Sequence, residues 1–502
     1  MKSLRKSSQK PKEAISRRWF IGGAVSTAAA FTIVPRHVLG GQGNVAPCDK
    51  VTTACIGVGA QGTRVMMKFL KQPDMQIVSV CDVNRESKDY SEWGTGEIRR
   101  KIKNLVGTRF RDRGESEEGA TCGREPARDL VNAYYAGKSS SDSYKSCTAY
   151  NDFRELLEKE KDLDAVIVGT ADHWHVPISV AAMKKGKHVY CQKPLTHSIF
   201  EARRMAEVAR ETGVATQVAT GNSASEATRL LSEWIWDGAI GPVRHVINWS
   251  TRPFWPQGLE RPEETQPVPP GLDWDLWLGP APERLFNHVY LPFVWRGWYD
   301  FGNGALGDMG CYSFDTIFRV MKLDAPIRVE ASSTPKFEET FPAGSIIHFD
   351  FAARSNMPPV RITWYDGELK PPRPPELDEE DAMARGNEGL MFVGDRGKIL
   401  CGFNGRRPRL IPASRMDSYD QPPQTLPRSI GHDREWIEAC KGGAAPGANF
   451  EFAGKVTEGL LLGNVAVRAG ETLAWDSIKM KVTNVSAANQ YVRREYRGDW
   501  KL

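Results

Sequence analysis

The feature that most constrains this chain is a glycine pattern, Gly57-Val58-Gly59-Ala60-Gln61-Gly62, set between a strand-like run, Val51 to Ile56, and a helical run from Gly62 to Lys71. Glycines at this spacing also serve ordinary tight turns, so the context decides. A second strand-like run, Met75 to Cys81, follows, and Asp82 stands at its end, twenty residues past Gly62. In that setting Gly57 permits the turn, Gly59 lets the backbone approach a pyrophosphate, and Gly62 lets helix and strand pack closely. The helix N-terminus, with Gln61 in its first turn, favours phosphate charge. Asp82 is placed to accept hydrogen bonds from the adenosine ribose. That predicts NAD, with NADP disfavoured by like-charge repulsion and Arg85 nearby softening the preference.

From Val51 to Val218 strands and helices alternate, which predicts a parallel sheet covered by helices. Later strands are read at Ala165–Val168, His188–Cys191 and Val214–Val218, with a helix from Ser198 to Thr212 ending at Gly213. Residues 87–147 break the order as a polar insertion, partly helical around Gly96–Leu105. After Gly221 the pattern changes. A helix is expected over Ser225–Trp236, and runs at 244–249, 327–333, 345–353 and 360–365 alternate apolar and polar residues, as half-solvated strands do. The expected fold is α/β: a doubly wound Rossmann sheet over 46–220, then an α+β domain over 221–502 with a large open, mostly antiparallel sheet and C-terminal helices.

Charge is unevenly placed. The net +5 divides into +7 over residues 1–40 and a body with 59 Lys/Arg against 61 Asp/Glu. Such a body has no basic surplus for a phosphate backbone, which argues against nucleic-acid binding. Residues 1–45 read as an export signal and linker: a basic stretch ends in Ser16-Arg17-Arg18, and an uncharged run reaches Pro35. That run is too short and weakly apolar for a stable membrane anchor. The arginine pair resembles a twin-arginine signal, which implies a periplasmic or secreted protein. The nine cysteines form no CxxC pair, so neither a metal site nor a disulfide framework is indicated.

Two further constellations carry chemistry. Gln192-Lys193-Pro194 follows a strand, and strand ends of a doubly wound sheet face the ligand crevice; a lysine there can hydrogen-bond a substrate hydroxyl beside a nicotinamide. In Gly302–Asp315, a helix opened by Asp308 would carry Asp308 and Tyr312 on one face, with Asp315 beside Tyr312. Trp249, Trp255, Trp295 and Trp298 fall near the expected crevice, at least half of them as core filler.

Together with Gly169-Thr170-Ala-Asp-His-Trp-His175, Trp274-Asp-Leu-Trp277, Trp295-Arg296-Gly-Trp298 and Phe392–Gly397, these motifs resemble the Gfo/Idh/MocA family of glucose–fructose oxidoreductases and inositol dehydrogenases, in a secreted branch, from about Val51 to Leu502. The resemblance implies that Thr170 and His175 line the cofactor crevice and that Lys193 is the catalytic lysine, also touching the cofactor. It makes Asp308 the carboxylate that holds the reacting hydroxyl. Tyr312 stands where inositol dehydrogenases have a histidine, and serves as proton donor or acceptor. Asn222 and Arg296 are candidate substrate contacts. Gln192 replaces the family's usual Glu, which removes an orienting charge from Lys193. A Lys⁺ beside Tyr312 is expected to lower its pKa.

The implied activity is hydride transfer between a nicotinamide and a hydroxyl or keto carbon of a sugar, glycoside or cyclitol, by a homodimer or homotetramer. Two alternatives stand beside it: a glycoside-cleaving enzyme that cycles a tightly bound NAD(H), and a non-catalytic nucleotide-binding protein.

Overall fold

The computed structural model describes residues 45–46, 49–110, 121–138 and 146–502; residues 1–44 of the export-signal reading and two stretches of the insertion lie outside the described residues. In chain order the first half runs β1 (Val51–Ile56), α1 (Ala60–Leu70), β2 (Met75–Cys81), α2 (Glu97–Val106), α3 (Arg124–Ala136), β3 (Thr148–Tyr150), α4 (Phe153–Lys159), β4 (Ala165–Val168), α5 (His175–Lys184), β5 (His188–Cys191), α6 (Ile199–Thr212) and β6 (Thr216–Val218). The six strands pair only in parallel, in the order β3-β2-β1-β4-β5-β6. The order reverses between β1 and β4, which leaves a crevice at their carboxyl ends where ligands of doubly wound sheets bind. β4 is buried at every position, as an apolar strand covered on both faces must be.

Local sequence explains the boundaries. Ser198 caps α6 and Glu201 returns the bond in a capping box, while Gly213 ends the helix in the left-handed region at φ 66°. Two helices were not legible beforehand, α3 and α4. In α3 the buried Ala127, Leu130, Val131 and Tyr134 follow the helical period, but short polar flanks hid it.

The second half runs α7 (Glu226–Asp237), β7 (Val243–Trp249), α8 (Trp274–Leu278), α9 (Cys311–Met321), β8 (Arg328–Ser333), β9 (Ser345–Phe351), β10 (Val360–Tyr365), β11 (Gly389–Gly394), β12 (Gly397–Gly402), β13 (Arg409–Ile411), α10 (His432–Cys440), α11 (Phe450–Ala469), β14 (Leu473–Asp476) and β15 (Lys481–Val482). Its nine strands are ordered β13-β12-β11-β7-β10-β9-β8-β14-β15. The sheet is mixed: β7 and β10 pair in parallel, and the other neighbours are antiparallel. β9 alternates buried and half-buried residues, so one face packs on the core.

Both sheets belong to one compact unit, Asp49–Leu502. α11 joins them. Its Ala453 lies in the core under β4 and β5, while Leu460, Leu461 and Leu462 lie in the core of the large sheet. A helix buried on opposite sides reads as apolar nearly all round, as Phe450 to Ala469 does. The close approach to α6 falls at Gly454, where a Cβ would stand 3.0 Å from the Ala202 carbonyl oxygen.

Candidate active site

A cavity of about 550 Å³ opens at the carboxyl ends of the parallel strands. Gly57, Asp82, Thr170 and Lys193 all reach the crevice for one reason: each follows directly, or within two residues, the last residue of β1, β2, β4 or β5.

The glycine loop is built for close approach. Gly57 sits at φ +83°, and a Cβ on Gly62 would lie 1.9 Å from the Gly57 carbonyl oxygen. Gly59 caps α1 without a side-chain hydrogen bond, and the first turn carries no acid, so the helix end faces the cavity with bare N–H groups. Gln61 lines the same wall. Asp82 accepts from the backbone N–H of Val58 at 2.7 Å and of Asn84 at 2.9 Å, which orients its carboxylate along the crevice. Burial pushes the Asp82 carboxyl up against those two donors. Thr170 presents a buried hydroxyl with no hydrogen-bond partner. A bare helix end, a glycine cradle that a Cβ would fill, a ribose-facing carboxylate and an unpartnered hydroxyl fit a dinucleotide.

The insertion contributes here, which its sequence did not reveal. Tyr90 lies across the glycine loop, its ring 2.7 Å from where a Gly59 Cβ would stand. Trp93, 60% exposed, lines the mouth edge-on to Phe293.

Beyond this end lies a charged cluster. Lys193 Nζ donates to the Asp308 carbonyl at 2.7 Å and to its Oδ1 at 2.9 Å, and Arg296 Nε donates to the same Oδ1 at 2.9 Å. The ammonium also lies 4.9 Å from the centre of the Tyr312 ring. The orienting charge absent at Gln192 is thus supplied by Asp308. Burial would raise the Asp308 carboxyl, but Lys193 and Arg296 outweigh it and hold it at about 2. Burial opposes the Lys193 charge, yet Asp308 keeps its pKa well above the ordinary lysine value. Lys193 is therefore an ammonium at any working pH, a hydrogen-bond donor and not a base.

Five expectations need correction. Asp308 does not open a helix; it lies inside a π-helical turn, Leu306–Gly310, that runs into α9. That wider turn lets the Asp308 carbonyl and carboxylate both reach Lys193. Tyr312 is not acidified, because burial outweighs the nearby ammonium and its pKa is raised, so it is a phenol at neutral pH. Asp315 turns away, held by Thr220 at 2.9 Å and Arg319 at 2.8 Å. Asn222 does not line the cavity; its amide donates to the Tyr312 carbonyl and to Thr316 Oγ1, bracing α9 from behind. His175 is likewise behind the wall. Its ring nitrogens face the Pro194 carbonyl at 2.8 Å and the Thr170 carbonyl at 3.2 Å, tying two strand-end loops together. Of the four tryptophans, Trp295 lines the cavity, and Trp249, Trp255 and Trp298 are buried.

Asp172 was missed, although it stands within the 169–175 stretch. It lines the cavity, is 3% exposed, and accepts from Asn303 Nδ2 at 3.0 Å. Burial, with Asp308 nearby, raises its carboxyl to about 7 despite Arg296 and Lys193. Asp172 thus titrates where neither Lys193 nor Asp308 does. Its native pKa lies above the unfolded value of 3.8, so its contribution to stability declines as pH rises from about 4 to 7. Asp172→Asn is expected to be about 2–4 kcal/mol more stable than the parent at pH 8 and equal to it at pH 4, in urea unfolding. An equal difference at both pH values would contradict the buried acid.

Fold and site define a class: a dinucleotide-binding Rossmann domain with an α/β domain closing over it a cavity that carries a charged cluster. Two family models match in the same order, the NAD-binding Rossmann fold of the Gfo/Idh/MocA oxidoreductases over residues 104–220 and their C-terminal alpha/beta domain over 240–357. Over those two stretches the chain matches the models of the Gfo/Idh/MocA oxidoreductases.

Among similar proteins, 1,5-anhydro-D-fructose reductase of Ensifer adhaerens is 28% identical over 174 residues, 34% of this chain and 41% of that protein. A glycosyl hydrolase family 109 protein of Saccharopolyspora erythraea is 25% identical over 309 residues, 59% of this chain and 51% of its own length. The chain thus spans about half or less of the curated relatives named here. The WlbA dehydrogenase of Bordetella pertussis, solved with NADH and UDP-GlcNAcA, shares the fold with a TM-score of 0.51 at 14% identity, covering 85% of this chain and 99% of that one.

Proposed function

We propose that this chain is an NAD-dependent oxidoreductase acting on a hydroxyl or keto carbon of a sugar, glycoside or cyclitol. One observation carries the reading: Lys193, Asp308 and Tyr312 meet in the cavity that begins at the Gly57–Gly62 loop. The bound nicotinamide supplies hydride exchange; the chain supplies orientation and protons. Asp308 fixes the Lys193 ammonium, which polarises the substrate oxygen. Tyr312, a phenol at neutral pH, donates to that oxygen when a ketone is reduced. Asp172, titrating near 7 in the same cavity, is the carboxylate available to accept a proton when an alcohol is oxidised. The carboxylate of Asp82 at the ribose position favours NAD over NADP.

A second reading keeps the cofactor bound through a cycle that cleaves a glycoside. Residues 271–273 support it by crossing the crevice: Arg85 N–H donates to the Gly271 carbonyl at 2.8 Å, and Asp273 N–H to the Val83 carbonyl at 3.0 Å. Export to the periplasm and assembly as a homodimer or homotetramer complete the proposal; the arginine pair with its apolar run supports the first, and the family resemblance the second.

The test is to purify the protein, identify nucleotide released by acid, and incubate the holoenzyme with sugars and glycosides while following absorbance of the reduced cofactor. Reduction without cleavage is expected. Aglycone release without net reduction would move the assignment to the second reading, and no bound or bindable NAD(H) would overturn both.

A further inference from the structure

The sugar end of the cavity holds one cation more than its own chemistry uses. Lys193 and Arg296 share the carboxylate of Asp308. Arg252 lines the same wall beside Met309, yet among the described residues no carboxylate comes within ion-pair distance of it. The hydrogen bond of its side chain runs from Nη1 to the Met309 thioether at 3.3 Å, a weak acceptor. Its Nε is buried without a partner. The guanidinium carbon lies over the Phe254 ring, 3.7 Å from its centre, a cation–π contact. The backbone is hydrogen-bonded: Arg252 N–H donates to Ser250 Oγ at 3.2 Å, and its carbonyl accepts from Gly367 N–H at 2.7 Å.

A guanidinium that is half-buried and has no carboxylate partner among the described residues has given up hydration without an anion in return. Asp172, the other acid at this end, is already engaged by Asn303 and lies, like Asp308, on the Lys193–Arg296 side. From this juxtaposition we propose that the substrate is a sugar bearing an oxyanion, a carboxylate or a sulfate ester, and that Arg252 binds that group through the terminal nitrogens of its guanidinium. The proposal rests on the sugar-oxidoreductase reading and narrows it. Two charge-assisted hydrogen bonds to the guanidinium favour an anionic sugar over its neutral counterpart at the same stereochemistry.

The experiment is calorimetric titration of the NADH-loaded protein with matched pairs: glucose and glucuronate, galactose and galacturonate, and each neutral sugar against its 6-sulfate. The expected result is at least tenfold tighter binding of the charged member in one pair, reduced below twofold in Arg252→Gln and partly kept in Arg252→Lys, with thermal unfolding confirming that both variants fold. A preference for the uronate identifies carboxylate as the source, and a preference for the sulfate identifies the ester. Absence of any charged preference overturns the proposal, as does a preference that survives in Arg252→Gln, or an NADH affinity that falls with the sugar affinity. Failure of the parent protein to bind NADH at all would instead overturn the oxidoreductase reading on which it rests.

Discussion

Lys193→Ala should reduce kcat/KM about 10³-fold or more while NADH affinity changes less than tenfold. On the proposed function the ammonium is the donor to the substrate oxygen, and loss of a positioned proton-network group costs about 10²–10⁴ in rate. Removing one member of a buried ion pair commonly costs 3–5 kcal/mol because the other charge is orphaned. Here Arg296 Nε still holds Asp308 Oδ1 at 2.9 Å, so the expected stability loss is smaller, about 1–2 kcal/mol. Steady-state kinetics and urea unfolding on one preparation separate the two effects. Activity within tenfold of the parent would remove Lys193 from the reaction.

Gly62→Ala is expected to abolish detectable NAD binding, by at least a hundredfold, and to destabilise the protein by about 3 kcal/mol. One methyl group suffices because its Cβ would stand 1.9 Å from the Gly57 carbonyl oxygen, a backbone atom that cannot rotate away. The loop and the start of α1 must part, and the N–H groups aimed at the pyrophosphate move with them. Gly94→Ala is the control: a Cβ there meets nothing within 4 Å, so stability should stay within about 0.5 kcal/mol. Fluorescence titration with NADH reads both variants. Near-normal affinity in Gly62→Ala would mean that the nucleotide binds elsewhere.

The parallel half was legible because its signals are local. Apolar runs marked β1, β2, β4 and β5 at their observed bounds, and glycine chemistry marked the turn after β1. Asp82 and Lys193 could be placed in the crevice because each follows a strand whose carboxyl end must face it, whereas Thr170 was placed there by the resemblance alone. α3 had the right period but sat inside a polar insertion, so its buried face was overlooked.

Residues named from the resemblance fared according to side-chain direction, which chain position does not specify. Asn222 and His175 lie beside the site in sequence and space, yet one braces α9 and the other bridges two loops. Tyr312 lies where expected, but its ionisation depends on how deeply it is buried and on whether Lys193 has another partner.

By itself the sequence determined the doubly wound sheet, the nucleotide loop and the kinds of residue available for catalysis, since hydrophobic period and turn chemistry act over a few residues. Only the tertiary structure decided which charges meet among the described residues: Asp308 with Lys193 and Arg296, Asp172 without a cation at hydrogen-bond distance, and Arg252 without a carboxylate at ion-pair distance. Lys193 and Asp308 stand 115 residues apart, and electrostatic energies depend on ångström separations and local burial that no short stretch of chain encodes.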